Sequence, residues 1–165
     1  MSLRICAVAL ACSAVFFSCT KDVKCIDTVI SPAFIGFPLA DIDTFIIRKF
    51  EPGTNFQKQI DTSLVQHYDY YQLAVTYQIS HDTTFVNVQD NGIKAGFDWE
   101  IFIPSLNRTT RLSGIVSEKR TIQCGLRSVQ SNCGCSNGLF SAQQDNATIT
   151  FPDVNFKLAS VYITR

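Results

Sequence analysis

Two histidines, one tryptophan and one methionine are all that this 165-residue chain contains of those types. The methionine is Met1, so the rest of the chain has no thioether to select Cu(I). Charge is sparse and balanced, with 14 Lys and Arg against 14 Asp and Glu. The charges are scattered, which leaves no basic stripe for nucleic acid and no acidic tail to keep a segment disordered. No stretch of ten or more residues carries a convincing 3.6-residue period, which argues against a helical bundle. Gly-x-Ser-x-Gly, the phosphate loop and His-Glu-x-x-His are all missing, and internal repeats are missing too. No catalytic residue and no cofactor are expected from these absences.

Apolar residues are concentrated at the start. Met1 to Arg4 carries one positive charge, and Ile5 to Phe17 is a run of thirteen residues in which only Ser13 is polar. A bilayer span needs about 20 residues, so the run is too short to cross, and a basic segment before a short apolar one is the layout of a secretory signal. The small-x-small sites Ala7-Val8-Ala9 and Ala9-Leu10-Ala11 lie inside the run. Its end, Phe16-Phe17-Ser18-Cys19, resembles the lipobox of bacterial lipoproteins, with Leu10-Ala11-Cys12 as a rival site. The resemblance implies a signal peptide over 1–18, a Cys19 that is acylated and becomes the first residue, a tether over 19–25 and one domain over 26–165. Several acyl chains hold a protein stably where one binds only marginally. Thr20 stands where many inner-membrane lipoproteins have Asp, so the resemblance implies the outer membrane, with a secreted or periplasmic protein as the alternative.

From Cys19 onward 147 residues remain, enough for a single domain with a sizeable core. Four cysteines are left: Cys25, Cys124, Cys133 and Cys135. An even number in an exported chain reads as disulfides. A Cys133 to Cys135 bond would be strained, so Cys25 and Cys124 are each expected to take one partner from that pair, or Cys25 to stay free near the anchor. Structural zinc calls for paired Cys-x-x-Cys knuckles, which are absent, and no metal site is expected.

The fold signal is alternation. Tyr71, Leu73, Val75, Tyr77 and Ile79 alternate with polar residues, and Phe97, Trp99, Ile101 and Ile103 alternate with Asp98 and Glu100, which places those two acids on a solvent face. Between these strands Asn91-Gly92 reads as a hairpin turn. The C-terminal segment alternates through Ile149 and Phe151, restarts at Val154, and shifts parity to Val161 and Ile163. Weaker strands lie at Asp43–Phe50, Thr109–Ser117 and Thr121–Arg127. Turn signals occur at Glu51-Pro52-Gly53, Pro104-Ser105-Leu106-Asn107 and Ser136-Asn137-Gly138. Seven or eight short strands predict an antiparallel β-sandwich, immunoglobulin-like in the broad sense, with a small β-barrel as the alternative.

Two functions of different class fit. The first is a membrane-anchored envelope protein that binds a glycan or an envelope protein, or serves as a structural module, with Tyr68 and Tyr70 as its ligand face beside the amides of Gln72 and Gln78. The second is an envelope hydrolase built from loops that gather Asp41, Asp43, His67, His81, Asp98 and Glu100. The Asp41/Asp43 loop also has the chemistry of a weak calcium site.

Overall fold

A computed structural model describes residues 25–67, 76–88, 92–121, 135–152 and 158–165. They form an all-β sandwich of two packed sheets with no closed barrel. In chain order the strands are β1 (Ile26–Asp27), β2 (Val29–Ile35), β3 (Thr44–Phe50), β4 (Gln59–Gln66), β5 (Thr76–Ser80), β6 (Thr83–Asn87), β7 (Asp98–Ile103), β8 (Arg108–Thr121), β9 (Cys135–Gln144), β10 (Ala147–Thr150) and β11 (Leu158–Thr164). One helical turn, α1 (Leu39–Ile42), joins β2 to β3.

The larger sheet runs β1-β9-β8-β7-β3-β4 with β10 on β9, and the smaller runs β11-β2-β6-β5. Most pairings are antiparallel, but β1 on β9 and β11 on β2 are parallel. Phe34 of β2, Phe45 of β3, Ile47, Ile101, Ile163 and Val161 meet between the sheets and are almost fully buried. The alternation expected for 97–103 is present: Trp99, Ile101 and Ile103 face the core, and Phe97 packs against it. Similarly, Val161 and Ile163 are buried, with Ala159 on the same face, and the parity shift before them falls at the start of β11, after Leu158.

Pro32 sits within β2, a strand flanked on both sides, where its missing N–H is normally excluded. The pairing with β6 begins only at Ala33, so the proline meets a neighbour on the β11 side alone. In β8, Gly114 has φ +55 at the point where the register with β9 slips. A side chain there would be strained, and the glycine lets a 14-residue strand bend with its sheet.

Three expectations need correction. The strands either side of Asn91-Gly92 do not pair as a hairpin, because β6 belongs to the smaller sheet and β7 to the larger, and Ile93 bridges to Ile30 on the way across; Asn91 itself lies outside the described residues. Ser136-Asn137-Gly138 lies inside β9 rather than in a turn. Ile79 is 61% exposed, on β5 at the edge of its sheet. The segment 68–75, most of the strand expected there, lies outside the described residues.

Cys25 is disulfide-bonded. It immediately precedes Ile26, whose partner in the parallel β1–β9 pair is Ser136, and Cys135 immediately precedes Ser136. Adjacent strands lie about 4.8 Å apart, within the Cα spacing a disulfide accepts. Peptide mapping of the non-reduced, thiol-blocked protein is therefore expected to join Cys25 to Cys135 and leave Cys124 with Cys133. A Cys25–Cys133 peptide would show that the N-terminal strand pairs in another register.

Candidate functional site

The side chains with the most chemistry lie on the outer face of the larger sheet. Cross-strand pairing sets Thr62, Arg48, Glu100 and Arg111 in one row across β4, β3, β7 and β8. The Glu100 carboxylate takes both arginines: Arg48 Nη1 is 2.6 Å from Oε1 and Arg111 Nε is 3.1 Å from Oε2. Each guanidinium also stacks on a ring, Arg48 over Phe102 and Arg111 over Phe56, both at 4.9 Å. Such stacking suits the planar, weakly hydrated guanidinium.

Asp98 and Glu100 point away from the core, as alternation requires, yet each is only 5% exposed. This corrects their assignment to a solvent face. The chain between β3 and β4 folds back over them: the Gly53 N–H donates to Asp98 Oδ2 at 3.1 Å, and Phe56 packs edge-on against Phe50 at 5.5 Å. That connection is held in shape by the Glu51 N–H to Lys58 carbonyl bond, by Thr54 Oγ1 donating to the Glu51 carbonyl, and by a Lys58–Glu51 ion pair.

Beside Phe56 opens a cleft of about 220 Å³ lined by Asn55, Phe56, Arg111, Ser113, Asp145 and Asn146. Four of these six, Asn55, Phe56, Asp145 and Asn146, have positive φ without being glycine. Asp145-Asn146 is the two-residue turn between β9 and β10, and two successive left-handed residues are what a type I′ hairpin needs. Asp145 Oδ1 accepts the Arg111 N–H at 2.7 Å, and the Arg111 carbonyl accepts the Asp145 N–H at 3.0 Å, so the turn is fastened to β8. The result is a polar rim of amide, hydroxyl, carboxylate and guanidinium around one aromatic ring.

The loop acids and histidines gather only in part, at one end of the sandwich. The His67 N–H donates to the Asp43 carbonyl, and His67 Nδ1 lies 3.7 Å from Asp43 Oδ1, longer than a hydrogen bond. Arg165 Nη2 is 3.2 Å from Asp41 Oδ2, an ion pair without hydrogen-bond alignment, and Ser105 donates to the Asp41 carbonyl. His81, with φ +54, lines a neighbouring cleft with Asp82 and Arg165. Asp98 and Glu100 belong to the outer face of the larger sheet and its 51–58 cover, apart from this loop group. Among the described residues no three His, Cys, Asp or Glu side chains gather as metal ligands.

No family model, curated protein or solved structure matches the chain. The expected lipid site Cys19, the tyrosines Tyr68 and Tyr70, and the cysteines Cys124 and Cys133 lie outside the described residues. Cys135 opens β9. Arg48, Arg111, Asn55 and Phe56 do not stand out in the sequence. An arginine on each strand flanking Glu100 becomes meaningful only once β3 and β8 are known to be its neighbours.

Proposed function

We propose that this chain is a lipid-anchored protein of the bacterial envelope whose β-sandwich is a non-catalytic binding module, and that it takes a glycan at the cleft beside Phe56. The observation that carries the reading is the cleft's lining. Sugars present dense hydroxyl groups on a ring with an apolar face, and a cleft that surrounds an aromatic ring with Asn55, Asn146, Ser113 and Arg111 offers donors, acceptors and an apolar surface together. The carboxylates support binding over hydrolysis. Glycoside cleavage generally uses two carboxyl groups on opposite sides of the scissile bond, whereas Asp145 is the single acid lining this cleft, and Glu100 and Asp98 are engaged by arginines and a backbone N–H.

The test uses the full chain in detergent micelles, titrated with soluble fragments of envelope glycans. Asn55→Gly combined with Asn146→Gly removes both amides while leaving the left-handed backbone comfortable, because glycine populates positive φ freely. Affinity is expected to fall about tenfold or more, equivalent to about 1.4 kcal/mol, with little change in melting temperature. Unchanged affinity would remove the cleft from the function. The anchor is read separately: Cys19→Ala is expected to abolish lipid labelling, and persistent labelling would overturn the lipoprotein reading.

A further inference from the structure

We infer a second binding site, for a hydroxyl-bearing oxyanion such as a sugar acid or sugar phosphate, at the end of the sandwich where Lys49, Lys94, Phe97 and Trp99 meet. It is separate from the Phe56 cleft. Lys49 shares the inward parity of Phe45 and Ile47 in β3, whereas Arg48 and Phe50 face the opposite side.

A lysine in an inward position is costly unless something compensates its charge. Cross-strand pairing places Lys49 between Asp61 of β4 and Trp99 of β7. Asp61 forms no ion pair with Lys49, and its Oδ1 accepts the Thr62 N–H at 2.8 Å. Among the described residues the Lys49 ammonium rests on rings alone, 3.5 Å from the centre of Phe97 and 5.7 Å from that of Trp99. A ring face attracts a cation without neutralising it.

A second cation lies alongside. Lys94 lines the same cavity of about 130 Å³, with Ser63 and Asp61 on its other wall. Among the described residues nothing pairs with the Lys94 ammonium, while its carbonyl accepts the Trp99 indole N–H at 2.8 Å, which fixes the backbone of this wall. One ammonium on an aromatic floor and a second lysine lining the same cavity suit a carboxylate or phosphate. Asp61 would repel a bare anion, but it accepts hydrogen bonds from hydroxyl groups, and Ser63 adds a further hydroxyl. The site therefore selects an oxyanion that also carries hydroxyls.

Trp99 is the only tryptophan in the sequence, so intrinsic fluorescence reports on this site directly. The full chain in micelles is titrated with glucuronate and with glucose 1-phosphate, against sodium chloride at matched ionic strength. A saturable change in Trp99 emission is expected with at least one of the two sugars and not with chloride. Response to glucuronate alone assigns a carboxylated sugar, response to glucose 1-phosphate alone a phosphorylated one, and response to both a shared oxyanion pocket. Lys94→Gln, which breaks no ion pair or side-chain hydrogen bond among the described residues, is expected to weaken the response about tenfold or more. The Asn55→Gly/Asn146→Gly protein is expected to respond as wild type, which separates this site from the glycan cleft. No saturable change with either sugar, an equal change with chloride, or an unaltered response in Lys94→Gln would each overturn the assignment.

Discussion

Replacing Phe34 with alanine is expected to destabilise the domain by about 3–5 kcal/mol, the usual cost of deleting a buried phenylalanine ring. Phe34 is fully buried and touches Phe45 at 5.2 Å and Phe37 at 5.7 Å, both edge to face. Its effect is large because of where it stands. Phe34 belongs to the smaller sheet and Phe45 to the larger, so this ring pair is part of the contact between the layers. The truncation removes burial, leaves a cavity the rigid strands cannot close, and breaks an aromatic pair worth about 1 kcal/mol beyond its area. A domain of this size has about 5–15 kcal/mol of stability in all, so the variant is expected to unfold at much lower urea with a similar slope. A loss under about 1 kcal/mol would mean that the two sheets do not meet at β2.

Replacing Glu100 with alanine is expected to cost about 2–3 kcal/mol. Removing one partner of a fully buried ion pair typically costs about 3–5 kcal/mol, because a charge is left without compensation. Here the Glu100 side chain is 7% exposed, but those of Arg48 and Arg111 are 30% and 53% exposed, so both guanidinium groups recover part of their hydration and the loss is smaller. The triple variant Arg48→Met, Glu100→Leu, Arg111→Met is expected to regain much of the stability, since apolar side chains often replace such a network at little net cost. Chemical denaturation of the single and triple variants measures both. A single variant within about 0.5 kcal/mol of wild type would show that the row is solvated and the 51–58 cover is open.

These two residues differ in how far the sequence announces them. Trp99, Ile101 and Ile103 declare their strand and their buried face through alternation that five or six consecutive residues suffice to set. By contrast, β2, β4 and β9 carry no clear alternation. In β2, residues on both faces are buried and a proline interrupts the pattern, while in β4 nearly every residue is exposed along a sheet edge. Glu100 was legible as a strand residue, but its burial depends on a loop that closes from across the sheet. The Phe56 cleft was less legible still. Its lining comes from the β3–β4 connection, from β8 and from the β9–β10 turn, segments about 30 to 90 residues apart in the chain.

The sequence by itself determined the all-β class, the turns at Glu51-Pro52-Gly53 and Pro104 to Asn107, and the inward faces of β7 and of the end of β11. Each of these rests on the period of the side chains or on the φ preferences of a few adjacent residues, which are local properties. Only the tertiary structure decided which sheet each strand joins, that Asp98 and Glu100 are covered, and that Lys49 lies inward with rings in place of a carboxylate. Those outcomes depend on contacts such as Gly53 with Asp98 and Arg48 with Glu100, between residues 45 and 52 positions apart, and the period of a single strand carries no record of what will pack upon it.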